Sequence, residues 1–458
     1  MSLSTLADKY CPDICRPFLD RVQKSPIGKR LASGTFWSVV GNGLGKAFTF
    51  IAMVLVARIL GKEAFGEFGL VRSTASMFVT FSSFGMGLTA TKYISELLHS
   101  DKERVGRIIG LNYLLSFFVS LIIAAVFYFC VPRMCEIMLK APALVNEMRW
   151  GALLLFLMTF MSTQVGIMSG FQDFRGLASV NLIIGLSAIP VYVIGTNLSG
   201  LHGAVIALLV VTLSNVVINS IFIFRNVKLH GLCYSFFDAY KEFTILWKFS
   251  LPTVMCGTIA AGGIWICQMI QRSQSNGAGE LGIYFALMTF YSIAAFLPGI
   301  VNNVMLPMAS QTQSRQKVQQ LRKIVITQLG LNILTVSVIL VPIMFFPGPI
   351  MNCFGNDFIV SNKIIFLFGV YCMFAVLAGT VYTIAASIGL AWLNFVTIIV
   401  GTATMLSTAC HTIPMWGSFG LFLAMLTEVL MRVVVFAICI LFFSKQISFQ
   451  LHKIHCDN

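Results

Sequence analysis

Twelve apolar runs take up most of this 458-residue chain, near residues 35–59, 68–91, 108–130, 150–171, 177–197, 203–224, 249–271, 281–306, 324–346, 363–387, 390–411 and 418–443. Crossing about 30 Å of hydrocarbon takes about 20 apolar residues in a helix, and the runs are of that order. Hydrocarbon offers no partner to a backbone N–H or C=O, so such runs must satisfy themselves as helices. Charged residues make up 10% of the chain, against about 25% in a soluble domain. An all-α polytopic membrane fold of about twelve helices follows. No connection between spans exceeds about two dozen residues, which leaves no soluble domain to house an active site.

The formal charge of +14 is a matter of topology rather than of nucleic-acid binding. With the N-terminus inside, 21 of the 31 Lys and Arg residues fall on the cytoplasmic side, seven fall outside and three lie within spans. This positive-inside bias places both termini in the cytoplasm, with the basic loops against anionic lipid headgroups. Residues 1–32, interrupted by Pro12, Pro17 and Pro26, have no apolar core of a secretory signal and read as an interfacial or loose cytoplasmic tail. The twelve cysteines are scattered and mostly intramembrane, where Cys acts as a small apolar residue, so no disulfide framework is expected. Neither is a metal: Cys11 and Cys15 lack a second ligand pair.

Two of the three intramembrane cations sit near the start. Between Ser33 and Leu98 two apolar runs are hinged at LGKEAFGEFG; the first contains Lys46 and the second begins with Arg72. A cation in hydrocarbon is costly unless it faces a polar cavity. Helical spacing puts Asn42, Lys46 and Thr49 on one face with Ser38, and Arg72, Ser76, Thr80, Ser83 and Gly87 on one face of the next helix. Two readings stand: walls of a watery, positive cavity, or cations that snorkel toward headgroups. Depth favours the cavity for Lys46 and leaves Arg72, nearer a helix end, divided.

The second half echoes the first. Gly66-Glu67-Phe68-Gly69 aligns with Gly279-Glu280-Leu281-Gly282, which brings Arg58 within one residue of Arg272; Gly110-Leu111-Asn112 and Gly330-Leu331-Asn332 open spans 3 and 9. Matches in one order at a near-constant offset indicate a parallel duplication, an arrangement transporters use around a central site. The expected division is a tail (1–32), an N-lobe (33–225), a linker (226–248) read as an interfacial helix, a C-lobe (249–443) and a tail (444–458). In span 8, Tyr284, Tyr291, Pro298 and Asn302 share one face of a straight helix, either lining a cavity that suits sugar rings or packing on a neighbour. Glu428, the one carboxylate well inside a span, is one turn before Arg432, and that spacing permits an ion pair or an ion-coupling role. Arg58 and Arg272 read as cations guarding the outer ends of spans 1 and 7, with Glu67 and Glu280 as available partners.

The six-plus-six duplication, the opening GTFWSVVGNGLGKAFTFIAMVLVARILGKEAFGEFGLV and the segment GFQDFRGLASVNLIIGLSAIP resemble the polysaccharide-transporter branch of the multidrug/oligosaccharidyl-lipid/polysaccharide exporter superfamily. The likeness covers the chain beyond residue 30 and is nearest to bacterial O-antigen flippases of the Wzx type. It implies two six-helix lobes in a V around a cavity bounded by spans 1, 2, 7 and 8. It further implies alternating-access transfer of an undecaprenyl-pyrophosphate-linked oligosaccharide across the bacterial inner membrane, without a cofactor, beside polysaccharide polymerase and chain-length machinery. Lys46 and Arg72 fall where members often carry cavity cations. Two rivals remain: a multidrug exporter of the same superfamily, which usually carries intramembrane acids for cationic drugs, and a membrane polysaccharide-modifying enzyme. The latter needs a large external loop or a His with an acid beside it, and His99, His202, His230, His411, His452 and His455 suggest no such pair.

Overall fold

A helix that is apolar all round belongs in lipid or in a core, and what shapes such a chain is where its helices break. The computed structural model describes residues 26–98, 100–233, 242, 244–302, 318–387 and 391–456. Helix α1 (Pro26–Ser82) carries spans 1 and 2 and is broken at Gly61, with φ 75° and ψ 175°, a conformation open to glycine because it lacks a Cβ. The hinge expected over LGKEAFGEFG thus narrows to one residue. Span 2 is itself broken where Phe84 (φ 45°) and Gly85 (φ 65°) take left-handed conformations before α2 (Met86–Leu97) resumes. Spans 3 and 4 are α3 (Lys102–Arg133) and α4 (Val145–Gly170). Spans 5 and 6 share α5 (Phe174–Leu229), broken at Ser199 and Gly200. Asp173 caps α5, accepting from Gly176 N at 2.9 Å and from Asn226 Nδ2 at 2.8 Å.

Span 7 is α6 (Thr244–Arg272) and span 8 begins as α7 (Gly277–Ala294). Span 8 then bends by 43° into Phe296–Asn302. Pro298 accounts for the bend, since it has no N–H to offer the carbonyl four residues back at Ala294. Helices α8 (Val318–Phe345), α9 (Asn362–Ser387), α10 (Ala391–Trp416) and α11 (Ser418–Cys456) complete the chain. Among the described residues nine helices are long and apolar enough to cross a membrane. Two of these, α1 and α5, each hold two spans, and the bent span 8 supplies the remaining crossing of the twelve.

Helices α1 to α5 pack on one another, chiefly α1 on α5 and α4 on α3 and α5; among α6 to α11, α10 lies on α11 and α6, and α9 on α11 and α8. The two groups are joined where α1 meets α6 and α7. Two helix ends differ from the sequence expectation. The first helix begins at Pro26, upstream of Ser33, because a proline is at home in a first turn. The last helix runs through the segment set apart as a tail to Cys456. The interfacial helix expected in the linker lies largely outside the described residues; Glu242, within it, is buried against Arg104, 3.0 Å away, and Arg107, 3.6 Å away.

Candidate substrate cavity

Small residues aim the polar face of span 1. A Cβ on Gly41 would fall 2.3 Å from the Ala178 side chain, one on Gly45 2.7 Å from the Asn181 carbonyl, and one on Gly185 2.8 Å from the Gly45 carbonyl. Spans 1 and 5 therefore touch backbone to backbone, the close approach that small residues allow between membrane helices. With that face committed, Asn42, Lys46 and Thr49 line a cavity of about 1000 Å³ between the two groups of helices. Arg72, Ser73 and Ser76 of span 2 line it too. Both candidate cations thus share one cavity. Lys46 Nζ lies 6.0 Å from the centroid of Phe296, on the far wall just past the span 8 bend, and Arg72 Nη1 lies 3.7 Å from Met53 Sδ. Asn181 Nδ2 donates to Asn42 Oδ1.

The opposite wall comes from spans 7 and 8 and is of another kind. Ile264, Phe285, Met288, Tyr291 and Phe296 line it, with Gln268, Thr289 and Ser292 as its polar groups. No Asp or Glu appears among the described residues lining the cavity. Ser73 Oγ donates to Gln268 Oε1 at 2.5 Å, and Trp265 Nε1 to Thr74 Oγ1 at 3.1 Å, tying the walls together.

At the end nearest Gly61 the cavity is closed. Gly66 and Gly282 face each other across the seam: a Cβ on Gly66 would fall 2.0 Å from the Ala278 carbonyl, and one on Gly282 2.0 Å from the Lys62 carbonyl. A cluster of Phe50, Phe65, Phe290, Phe354 and Phe358, with ring centroids 5.2 to 6.4 Å apart, plugs the space beneath. Arg272 Nη2 donates to Glu67 Oε1 at 2.9 Å across the seam. Arg58 reaches backbone carbonyls of the span 9–10 connection, Cys353 at 2.7 Å and Asn352 at 3.3 Å. Both cavity-end cations are therefore spoken for, one by a carboxylate and one by carbonyls.

Two span 8 residues sit differently from the straight-helix reading. Tyr284 is only 2% exposed; its ring packs 5.6 Å from Phe422, and its hydroxyl accepts from Gln268 Nε2 at 3.4 Å, so only its edge borders the cavity. Asn302 is outside the cavity lining: its Oδ1 accepts from Gln328 Nε2 at 2.8 Å and from Asn332 Nδ2 at 2.9 Å. The bend at Ala295 turns the face beyond it toward span 9, which a helical wheel drawn through the whole span does not register. Glu428 and Arg432 are paired at 3.0 Å and line a separate cavity of about 390 Å³ within spans 7 and 10 to 12, with Tyr291 between the two cavities. The sequence reading missed Asn181, Asn215, Gln268 and Ser73 as wall residues. Their signal was an amide or hydroxyl in an apolar run, which has a cavity as one explanation and helix packing as the other.

Comparison with known proteins fixes the family. A family described as polysaccharide biosynthesis protein matches residues 31–313. The chain belongs to that family. Stage V sporulation protein B of Bacillus subtilis (strain 168) is 20% identical over 308 residues, 62% of this chain and 59% of that protein. The match thus spans under two thirds of that relative. An inward-facing multidrug resistance MATE family transporter of the MOP superfamily superposes with a TM-score of 0.73 at 14% identity, over 87% of this chain and 95% of that one. The lipid II flippase MurJ in an inward closed conformation gives 0.69 at 14% identity, over 88% and 87%. At such identity these likenesses establish the fold, the two-lobed membrane fold of that superfamily, for this member of the polysaccharide biosynthesis family.

Proposed function

We propose that the protein is a flippase for an oligosaccharide linked through pyrophosphate to a polyprenyl lipid, carried from the inner to the outer leaflet by alternating access. The observation that carries this reading is the unneutralised positive wall: Lys46 and Arg72 line one cavity in which no described residue is an acid. A pyrophosphate bears about two negative charges, and cations in a low-dielectric cavity are its natural partners. The aromatic and amide groups opposite suit the faces and hydroxyls of sugar rings. The same wall disfavours lipophilic cations as cargo.

In this reading the substrate is an undecaprenyl-pyrophosphate-linked O-antigen repeat unit, the membrane is the bacterial inner membrane, both termini are cytoplasmic, and polymerase and chain-length machinery take up the product. The excess of Lys and Arg at the opposite end supports assigning the sealed Gly61 end to the outside. The test is transfer of a fluorescent lipid-linked oligosaccharide in vesicles containing the full chain. Transfer should be competed by a short-chain polyprenyl pyrophosphate and not by a lipophilic ammonium ion. Competition by the ammonium ion alone would overturn the reading in favour of drug export.

A further inference from the structure

A second cavity of about 660 Å³ opens between α3 and α4, apart from the cargo cavity. Its depth is apolar, with Leu121, Ala124, Leu153 and Phe156, while Glu147 and Arg149 line its end near the start of α4. Leu121 and Leu153 are 46% and 45% exposed on the outer face of the bundle, so the groove faces lipid. The polar end is under-partnered. Arg149 lies over the Tyr128 ring at 5.1 Å, with its Nε buried and without a hydrogen-bond partner. Glu147 Oε1 faces His202 at 3.7 Å, and its Oε2 is buried with none. Leaving buried polar atoms of charged groups short of partners is costly. Trp150 and Tyr128, residue types that settle at headgroup level, stand beside them.

We propose that this groove binds one zwitterionic phospholipid of the phosphatidylethanolamine type. The phosphate is met by Arg149, the primary ammonium by Glu147, and an acyl chain lies along Leu121, Leu153 and Phe156. The argument for this occupant is charge complementarity: the groove presents the cation Arg149 and the anion Glu147, whereas an anionic headgroup leaves Glu147 with His202 alone and sets it against like charge. A groove facing lipid rather than the cargo cavity takes a membrane lipid without competing with transport substrate.

The experiment is native mass spectrometry of the full chain released from nanodiscs holding equal amounts of phosphatidylethanolamine and phosphatidylglycerol. Wild type should retain one phosphatidylethanolamine in about tenfold preference, the worth of one charge-assisted hydrogen bond. Glu147→Gln should abolish the preference, and Arg149→Gln should remove retention of both lipids. Leu153→Trp, a change on the lipid-facing surface that leaves the charged pair intact, should also empty the groove; Lys46→Ala, in the other cavity, should not. Equal retention of the two lipids by wild type would overturn the proposal, as would retention lost in Lys46→Ala but kept in Leu153→Trp.

Discussion

The motif Gly66-Glu67-Phe68-Gly69 and its echo Gly279-Glu280-Leu281-Gly282 each lend a glycine to the seam, the first of one and the last of the other, while their glutamates take opposite roles. Gly66 and Gly282 bring spans 2 and 8 into backbone contact at the seam. Glu67, however, reaches across that seam to Arg272 at 2.9 Å, while Glu280 stays within its own half, where its Oε2 accepts from Ser418 N at 2.8 Å at the start of α11. The same divergence runs down the cavity. With the motifs in register, Arg72 corresponds to Phe285, so one wall is cationic where the other is aromatic. Span 6 joins Asn219 to Asn215 at 2.7 Å, one helical turn apart, where span 12 joins Arg432 to Glu428 at 3.0 Å. The halves share a scaffold, and the chemistry lies in what they do not share. An amphiphile with a charged phosphate end and a sugar end suits two unlike walls better than two equal ones.

The largest effect expected is from levelling that difference. Lys46→Ala with Arg72→Ala should reduce cargo transfer at least about 100-fold at unchanged membrane abundance, since each charge-assisted contact is worth about tenfold. Lys46→Arg should retain most activity. Restoration of surface polysaccharide in a flippase-null strain, read beside the amount of folded protein, is the measurement. The sharper version moves the charge: Arg72→Phe with Phe285→Arg should recover part of what Arg72→Phe alone loses if the field in the cavity matters more than its side. Full activity of the double alanine variant would end the cationic-wall account.

The shared backbone comes next. A side chain on Gly66 meets main-chain atoms of Ala278 and Gly282 that cannot rotate away, so Gly66→Val should force the seam apart, at a cost of about 1–3 kcal/mol. Spin labels at the exposed residues Glu63 and Asn276, in a cysteine-free background, should show one short distance in the parent and a longer, broader distribution in the variant. An unchanged distribution would mean that the glycines do not hold the seal.

The span 12 pair tests whether its charge is needed at all. Glu428→Gln leaves Arg432 with a neutral partner, and loss of a part-buried charge-assisted bond costs about 1.5–3 kcal/mol, whereas replacing both members is often neutral. Thermal unfolding should therefore show Glu428→Gln as less stable than the Glu428→Asn, Arg432→Asn double variant, which copies the amide pair of span 6. If Glu428→Gln unfolds like the parent and loses only ion-driven transfer, the pair is a coupling element instead.

What the sequence disclosed follows the same line. The spans were legible because hydrocarbon imposes one length and one secondary structure, and the polar faces of spans 1 and 2 because period 3.6 carries through an unbroken helix. Asn302 was placed on the wrong side because Pro298 bends span 8 between it and Tyr291. The break at Phe84 and Gly85 was hidden, since FSSFGMGL keeps its apolar character through it. Nothing local distinguished Glu67 from Glu280 as the partner of Arg272, because that choice is made by packing between residues some two hundred positions apart. The lipid-facing groove rests on Glu147 and Arg149 of α4 meeting His202 of α5; His202 thus has an acid 3.7 Å away, against the sequence expectation of no such pair, because the order of residues carries no trace of that meeting.

The smallest and most discriminating effects belong to the two echoing glutamates. Glu67→Gln leaves Arg272, whose Nε is already without a partner, with a neutral acceptor across the seam. It should weaken the sealed end by about 1.5–3 kcal/mol, the range for a hydrogen bond to a charged group. Because that bond joins the halves, the loss should appear as a longer distance between labels at Glu63 and Asn276, and Glu67→Arg with Arg272→Glu should restore the short one. Glu280→Gln removes a carboxylate that accepts from the first backbone N–H of α11. Caps of this kind are worth about 1 kcal/mol, and this one lies within a single half. It should therefore lower the unfolding temperature slightly and leave the label distance unchanged. Equal widening by both substitutions would show that the seam is held by the charge of the motif wherever it points. Widening by Glu67→Gln alone would show that, of two copies of one motif, only the first became the latch.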